Sequence, residues 1–301
     1  MTRFTIQALF ALICLIWGST WLAIKVGLNG VPPFLGAGLR FLLSTAIVGA
    51  VLLARRKPIR LTPDDRICIW TLGVLVFWID YAAVYWAETR ISSGLTATLF
   101  STMPLMTALL SAFWTRTETL DGRKIAGILI GVVGTTLLFW TGDRVAASQV
   151  LGMLAALTAS LCAAINLVVM KRHGHNSDPF VLNFFGMGIG AIGLLALSAA
   201  LERQAAIDWN TGNVLSIVYL AVLGSVVAFS AYYALIKVMD ATLVSLSTLI
   251  IPIVALILGR IFLDEAISPT SVVGVGTIIA GVALVLVSPQ ARTKLQSSVR
   301  I

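Results

Sequence analysis

Charge is scarce in this chain. Only 11% of its 301 residues are Asp, Glu, Lys or Arg, whereas a soluble domain carries roughly 25%. With 58% hydrophobic residues and a mean hydropathy of +0.98, the chain holds more apolar surface than a soluble core of this size could bury. The composition therefore excludes an ordinary soluble protein and predicts that lipid is the solvent for most of the chain.

Metal-binding and redox residue types are rare as well. His173 and His175 share one short loop, where we expect them to be solvated, and the three cysteines form no Cys-x-x-Cys pair. A zinc site or a disulfide framework is therefore not expected. The sequence also lacks the clustered His, Asp or Glu that a polytopic membrane enzyme would need at one membrane face. We predict no cofactor, no metal and no enzymatic activity.

Long apolar runs dominate the sequence instead. Most reach about 20 residues, the length with which a helix spans the hydrocarbon of a bilayer. We predict an all-α polytopic membrane protein with ten transmembrane helices. Their predicted ranges are 6–28, 33–53, 66–87, 92–114, 123–140, 148–170, 179–201, 213–236, 242–262 and 271–288. The first run is longer than the apolar region of a signal peptide, so it is predicted to be a retained helix.

The distribution of Lys and Arg predicts the orientation. With a cytoplasmic N-terminus, fifteen of the 21 Lys and Arg residues fall in cytoplasmic segments, while only Arg90, Arg144 and Arg203 fall in outside loops. Cytoplasmic loops of membrane proteins carry this excess. Both termini are therefore predicted to face the cytoplasm, in a bacterial inner membrane. The net charge of +8 is a topology signal, and we expect no nucleic-acid partner.

Two apolar segments carry a proline near their middle, Pro104 and Pro252. Aligning these prolines brings three further pairs into register, with a slip of one residue: Tyr85 with Tyr233, Glu118 with Glu265, and Gly127 with Gly274. The alternative is an accidental match between apolar segments. We predict two five-helix repeats, 1–145 and 146–301. Because five is odd, the second repeat would be inverted in the membrane.

Inverted repeats with paired helix breaks are typical of secondary transporters, whose binding site lies between the halves near the bilayer midplane. We therefore predict that Pro104 and Pro252 act as kinks in gating. A proline frees the carbonyl one turn earlier. That carbonyl would contact substrate or be satisfied by a neighbouring hydroxyl.

Ionisable residues inside apolar segments mark a pathway or a pair. Arg40 and Asp80 lie about 10 Å and about 12 Å from the outer ends of the second and third predicted helices. We predict an Arg40–Asp80 ion pair, with either a purely structural role or a role in proton coupling. Lys25 shares a face of the first helix with Trp17 and Trp21, and would line the cavity or extend to the outer surface.

Aromatic and small polar side chains complete the predicted binding site, because they suit small amphipathic molecules. The predicted substrate-binding residues are Trp17, Trp21, Asp80, Tyr81, Tyr85, Thr98, Ser101, Asn166, Tyr233 and Ser245. An interfacial aromatic belt and simple helix packing are the alternatives. Glu118 and Glu265 are predicted to interact with the dipole of the helix that each precedes. The Gly127-x-x-x-Gly131 and Gly186-x-Gly-x-Gly190 patterns predict close helix packing.

Several of these motifs also resemble a known family. They are Ile16-Trp17-Gly18-Ser19-Thr20-Trp21, Pro33 with Arg40 seven residues on, Ser93-Gly94…Pro104…Glu118…Gly127, and Pro252…Leu263-Asp264-Glu265…Gly274. Together they resemble EamA-type members of the drug/metabolite transporter superfamily. The resemblance implies two inverted five-helix halves and export of amino acids, related metabolites or toxic compounds. The second half departs from the pattern, with Gly186 opposite Arg40.

The sequence thus favours a secondary transporter that exports small metabolites by alternating access. Multidrug efflux and passive facilitated diffusion are the alternatives, and a polytopic membrane enzyme is a more distant one. The expected partners are a small-molecule substrate and the lipid bilayer. Both a monomer and a homodimer are compatible with the sequence.

Overall fold

The computed structural model describes residues 3–56, 59–114, 121–139, 146–174, 177–236, 247–265 and 267–286. Within those ranges every regular element is a helix. Lipid offers no water to satisfy backbone groups, so each membrane segment must satisfy its own hydrogen bonds as a helix. The all-α prediction is confirmed.

We name the helices α1 to α10 in chain order. They are α1 Arg3–Gly27, α2 Pro33–Arg55, α3 Pro63–Glu88, α4 Ser93–Phe113, α5 Gly122–Phe139, α6 Ala147–His173, α7 Pro179–Leu201, α8 211–236, the described part of α9 Ser247–Leu263, and α10 Pro269–Leu286. Helix α3 begins three residues earlier than predicted because Thr62 and Asp65 form a capping box. The Thr62 nitrogen donates to Asp65 Oδ2 at 2.8 Å, and the Asp65 nitrogen donates to Thr62 Oγ1 at 3.1 Å.

Seven helices of the described chain are long and apolar enough to cross a membrane: α1 to α4, α6, α7 and α8. Helices α9 and α10 contribute shorter apolar stretches, Ile250–Leu263 and Val272–Leu284. Large apolar side chains point outward, such as Leu53, Phe113 and Ile192, which are 80%, 72% and 72% exposed. Such a surface fits lipid and not water. The chain is a multi-pass membrane protein, and ten crossings remain a prediction.

Helices α3 and α8 each widen into a π-helical segment, Thr71–Asp80 in α3 and Leu220–Val227 in α8. The offset of 148 residues that aligns Tyr85 with Tyr233 places the first segment opposite 219–228, so the two distortions correspond. Long π segments are rare and often mark functional sites. Sequence reasoning did not predict either one.

Packing between the halves is reciprocal. Helix α2 packs on its counterpart α7, and α5 packs on its counterpart α10. Helix α1 packs on α9, and the corresponding helices α6 and α4 pack on each other. Helix α1 also packs on α8, just as α6 packs on α3. This exchange of contacts is what a two-fold relationship produces. The predicted close packing of glycines is confirmed: a Cβ added to Gly281 of α10 would lie 2.6 Å from the nitrogen of Gly131 of α5.

The two proline-bearing helices differ. Helix α4 is interrupted at Ser101 and Thr102, just before Pro104, whereas α9 stays helical around Pro252. Both prolines are buried. The carbonyl of Phe100, four residues before Pro104, accepts a hydrogen bond from Ser160 Oγ of α6 at 3.1 Å. A neighbouring hydroxyl thus satisfies the freed carbonyl, one of the two predicted outcomes.

Candidate functional site

Arg40 of α2 lies between the two halves of the chain and is only 1% exposed. Its Nε donates to Ser225 Oγ of α8 at 3.0 Å, and its Nη2 donates to the hydroxyl of Tyr81 in α3 at 3.4 Å. The guanidinium carbon also lies 4.7 Å from the ring centroid of Tyr81. Because a charge within a membrane segment is costly, a guanidinium held by both halves marks a candidate functional site.

The π-helical segment of α8 provides the space for Arg40. A Cβ added to Gly224 would lie 2.9 Å from Cγ2 of Thr20 and 3.3 Å from Nη2 of Arg40, so glycine permits this close approach. Ser225 Oγ donates to the carbonyl of Leu220 at 3.0 Å, five residues earlier, and is thereby oriented to accept from Arg40. The Gly224 carbonyl accepts from Trp17 Nε1 at 3.3 Å. Helices α1 and α2 of the first half therefore meet at one point of the second.

Asp80 is the last residue of the α3 π segment and is 2% exposed. The predicted direct ion pair with Arg40 is not formed. In the described part of the chain, the charged atoms of Arg40 and Asp80 do not come within the 4.0 Å that defines a salt bridge, whereas those of His173 and Asp64 do. The two groups still interact electrostatically. Arg40 bonds elsewhere because the π segment of α8 presents Ser225 to it.

Aromatic rings surround this charged layer. Tyr81 packs edge-on to Phe41 at 4.6 Å between centroids and lies 6.5 Å from Tyr85. Trp17 contacts Phe229 of α8 at 5.5 Å. Trp21 contacts Phe100 at 5.6 Å, at the interruption in α4. The predicted aromatic residues of α1 and α3 thus meet Phe229 of α8 and Phe100 of α4, which were not predicted. An aromatic wall alone does not distinguish a binding site from a packed core.

Some buried polar atoms in this region have no hydrogen-bond partner within the described residues. They are both carboxylate oxygens of Glu88 and Asn166 Oδ1. Arg40 Nη1 and the Tyr85 hydroxyl also lack a well-formed hydrogen bond, although the two side chains interact with each other. Buried polar groups are nearly always hydrogen-bonded, so each exception requires an explanation. A site that awaits a polar ligand is one such explanation.

Comparison with known proteins identifies the family. The model of the EamA-like transporter family matches the chain twice, at residues 5–140 and 150–287. The chain belongs to the EamA-like transporter family. The resemblance drawn from the sequence motifs is confirmed. Members of this family are transporters and not enzymes, so this EamA-like protein has small molecules as substrates and membrane lipids as its surroundings.

Individual relatives agree with this assignment. The chain is similar to the protein PagO of Salmonella typhimurium, with 26% identity over 289 residues that cover 96% of this chain and 95% of that protein. It is 31% identical over 289 residues to the uncharacterized inner membrane transporter YedA of Escherichia coli K12, covering 92% and 89%. A solved crystal structure shares the fold with a TM-score of 0.66 at 24% identity, covering 97% and 99%.

The other predicted binding residues of this EamA-like protein are more scattered. The hydroxyl of Thr98 donates to the carbonyl of Gly94 at 2.8 Å, and that of Ser101 to the carbonyl of Thr98 at 2.7 Å, so both bond to their own helix. Asn166 lies in α6, and its Oδ1 has no hydrogen-bond partner among the described residues. Tyr233 belongs to α8, but its side chain lies outside the described residues, as does all of Ser245. Their roles remain predictions.

At the predicted outer face, carboxylates of the second half bind helix N-termini of the first. Glu265 accepts from the backbone nitrogen of Ser93 at 2.9 Å and from its hydroxyl at 2.9 Å. Glu202 accepts from the backbone nitrogens of Phe34 and Leu35, each at 2.9 Å. The prediction that Glu265 interacts with the dipole of α10 was wrong, because its side chain reaches across to the N-terminus of α4. Glu118 lies outside the described residues.

Two further predictions are decided by side-chain contacts. Lys25 donates to the backbone carbonyls of Glu88 and, at 2.9 Å, of Ile91. It therefore satisfies carbonyls at the C-terminus of α3 instead of extending to the outer surface. His173 is not merely solvated, since its Nδ1 lies 2.6 Å from Asp64 Oδ1. His175 lies outside the described residues.

Sequence reasoning missed Gly224, Ser225 and Glu202. Small residues in an apolar segment are normally interpreted as helix-packing positions. No sequence signal distinguishes a serine that bonds an arginine 185 residues away from a serine that bonds its own helix. Glu202 follows α7 in a polar loop, where a carboxylate is expected to be solvated.

Proposed function

We propose that this chain is a secondary transporter that exports small metabolites, such as amino acids or related amphipathic compounds, across the bacterial cytoplasmic membrane. Residues 1–145 and 146–301 would form its two inverted halves, with both termini in the cytoplasm. Transport would proceed by alternating access, in which one half moves against the other.

One observation carries the proposal: a buried cation of the first half is held by a π-helical distortion of the second. Arg40, Tyr81 and Ser225 form a polar layer enclosed by aromatic rings. Arg40 is seven residues from the start of α2, about 10 Å along the helix axis. This depth supports a position of the layer inside the membrane and between the halves, where transporters of this architecture bind substrate.

The contacts at the two ends of the molecule support alternating access. Glu202 and Glu265 tie the halves together at the predicted outer face. The backbone nitrogen of Asp208 also donates a hydrogen bond to the carbonyl of Gly30 at 2.8 Å. In the proposed orientation, these contacts would belong to a conformation closed toward the outside. Opening that side would break charge-assisted hydrogen bonds, so substrate binding must supply energy for the change.

Flux measurement tests the proposal. The purified protein is reconstituted into liposomes and assayed with labelled amino acids and cationic drugs, with and without a pH gradient. We expect saturable uptake that unlabelled substrate on the opposite side accelerates, and export in cells that overproduce the chain. Arg40→Gln should abolish uptake, whereas Arg90→Gln, a partly exposed residue beside Trp86, should not. No stimulated uptake of any compound would contradict the proposal.

Efflux of cationic amphipathic compounds is the second candidate. The buried carboxylates of Asp80 and Glu88 favour it, because a buried carboxylate suits an organic cation, and both oxygens of Glu88 have no hydrogen-bond partner within the described residues. Uptake of the cationic drugs but of no amino acid would select this candidate. Equilibration without accumulation under any ion gradient would indicate a passive facilitator.

A further inference from the structure

We propose that Asp64 and Asp65 of α3 hold the cytoplasmic gate of this transporter shut, through hydrogen bonds to His173 and Ser177 of the second half. This inference rests on the proposed transport function, because it assigns the residues that must separate before substrate enters from the cytoplasm. It follows from a comparison of the contacts that join the halves at the two ends of the molecule.

The two aspartates lie in the first turn of α3, at the predicted cytoplasmic face. The Nδ1 atom of His173, the last residue of α6, lies 2.6 Å from Asp64 Oδ1. Ser177, two residues before α7, donates from its hydroxyl to Asp65 Oδ1 at 2.5 Å. The other oxygen of Asp65, Oδ2, accepts from the nitrogen and the hydroxyl of Thr62. The capping box of α3 thus fixes the buried carboxylate that contacts the other half.

Corresponding elements meet at the opposite end of the molecule, with the halves exchanged. Asn213 in the first turn of α8 follows Asp65 by 148 residues, the same offset that relates the two π-helical segments. The nearest atoms to a Cβ added at Gly30, in the connection between α1 and α2, are Nδ2 of Asn213 and the carbonyl oxygen of Asp208. The connection between α6 and α7, which holds Ser177, is the counterpart of that segment. One equivalent contact therefore joins the halves at each end.

The two ends differ in how firmly they are held. At the predicted outer face, Glu202 accepts from two backbone nitrogens, and Glu265 accepts from a backbone nitrogen and a hydroxyl. Backbone donors are already fixed by their helix, so these bonds require little further ordering. At the cytoplasmic face both donors are side chains, and the side chain of Asp64 is 60% exposed. Exposed contacts between side chains contribute little to stability, so the cytoplasmic contact is the weaker one.

This difference determines which side opens more easily. A transporter that works by alternating access opens one side while the other stays closed. The state that breaks the weaker contact has the higher population when no ligand is bound. We therefore expect the substrate-free protein to open toward the cytoplasm more often than toward the outside. That preference suits an exporter, which must take up its substrate from the cytoplasm.

Cys162 provides a native probe for the opening. It lies in α6, is 8% exposed and interacts electrostatically with Asp80, which places it beside the candidate site. A charged, membrane-impermeant thiol reagent can reach it only along a path that is open to one side. Labelling rates at Cys162 are measured by mass spectrometry in inside-out and right-side-out membrane vesicles. We expect faster labelling from the cytoplasmic side.

Paired alanine substitutions test the gate contact directly. His173→Ala combined with Ser177→Ala removes both hydrogen bonds between the halves and leaves the capping box of α3 intact. Labelling of Cys162 from the cytoplasmic side should become about tenfold faster, because two hydrogen bonds are lost, with no increase from the outside. Thr71→Ala is the matched control, since that hydroxyl donates to carbonyls of its own helix, and it should change neither rate.

A covalent bridge tests the same gate through flux. Asp64→Cys and His173→Cys are combined in a chain whose three native cysteines are replaced by alanine, and are joined by a short bifunctional methanethiosulfonate. The bridge should stop transport, and its cleavage by a reducing agent should restore it. Arg66→Cys with Trp70→Cys is the control pair, because it spans one turn within α3 and its bridge should leave flux unchanged. If the double alanine variant does not fold, the bridge still tests the inference.

The possible outcomes are distinct. Unchanged labelling of Cys162 in the double alanine variant, or full flux in the bridged protein, would overturn this inference and leave transport intact. Faster labelling from the outside would also overturn it, because the contact would then close the opposite gate. The labelling assay needs no substrate. The expected labelling together with no flux of any tested compound would therefore support the gate contact and contradict the proposed function.

Discussion

The two halves share a type of helix contact, but the large side chain at that contact comes from a different helix in each case. In the contact between α2 and α8, the large side chain belongs to α2, where Arg40 enters the space at Gly224 and Ser225. In the corresponding contact between α7 and α3, the large side chain belongs to α3, where Phe77 packs against Gly190. One contact is polar and the other apolar. The backbone arrangement is therefore shared, but of these two contacts only the one made by Arg40 is polar.

This difference shows how a duplicated fold can acquire a single site. Both contacts involve a π-helical segment and a glycine, so both allow a close approach of backbones. The second half has Gly186, Gly188 and Gly190 along α7 and no arginine there. A buried charge is expensive in lipid, so one copy is easier to accommodate than two.

The apolar contact should be the more sensitive to added volume. In Gly190→Ala, the new Cβ would lie 2.7 Å from the backbone carbon of Phe77, which cannot move without displacing the π segment. We expect a loss of about 3 kcal/mol or more in folding free energy, measured by thermal unfolding in detergent. Gly188→Ala is the control, because its Cβ meets nothing nearer than Cγ2 of Thr45 at 3.7 Å. Equal effects of the two substitutions would refute the packing argument.

The polar contact should respond in function before stability. In Gly224→Ala, the added methyl would meet Cγ2 of Thr20 and Nη2 of Arg40, both at the ends of side chains that can shift. We expect displacement of Arg40 and about a tenfold loss of substrate affinity, equivalent to about 1.4 kcal/mol, with little change in unfolding temperature. Gly276→Ala, with open space around its Cβ, provides the control in the same flux assay. An unchanged affinity in Gly224→Ala would contradict the predicted difference between the polar and the apolar contact.

The outer contacts extend the difference between the halves, since both carboxylates come from the second half. Glu265→Gln removes the charge that faces the N-terminus of α4, which should weaken this contact by about 1 kcal/mol. Hydrogen exchange of the Ser93 and Gly94 amides should become about fivefold faster, as followed by mass spectrometry. Glu202→Gln should instead accelerate Phe34 and Leu35. If either substitution accelerated both sites equally, the two contacts would not be independent.

The smallest effect is expected at the interrupted helix. Ser160→Ala removes the donor to the Phe100 carbonyl, which should cost about 1 kcal/mol of stability. In a Pro104→Ala background the restored backbone N–H can bond that carbonyl, so most of the loss should disappear. A double-mutant cycle of unfolding temperatures measures this coupling. Additive effects would show that Ser160 does not compensate for the proline.

Much of this architecture was determined by the sequence alone. Apolar segments of about 20 residues must become helices in lipid, because their backbone groups have no other partners. A set of motifs along the whole chain, from Trp17-Gly18-Ser19 to Leu263-Asp264-Glu265, indicated the family. Arg40, Asp80 and Tyr85 were found because ionisable and aromatic residues are conspicuous in apolar segments.

Only the tertiary structure decided which of these residues meet. Arg40 binds Ser225 rather than Asp80, and Glu265 caps α4 rather than α10, across 185 and 172 residues of sequence. These pairings depend on which faces of α2 and α8, or of α4 and the α9–α10 connection, are turned toward each other. Glycine positions and π-helical segments set those faces through packing between the halves. The local sequence does not specify which helix faces meet, because each helix would form equally well beside another neighbour.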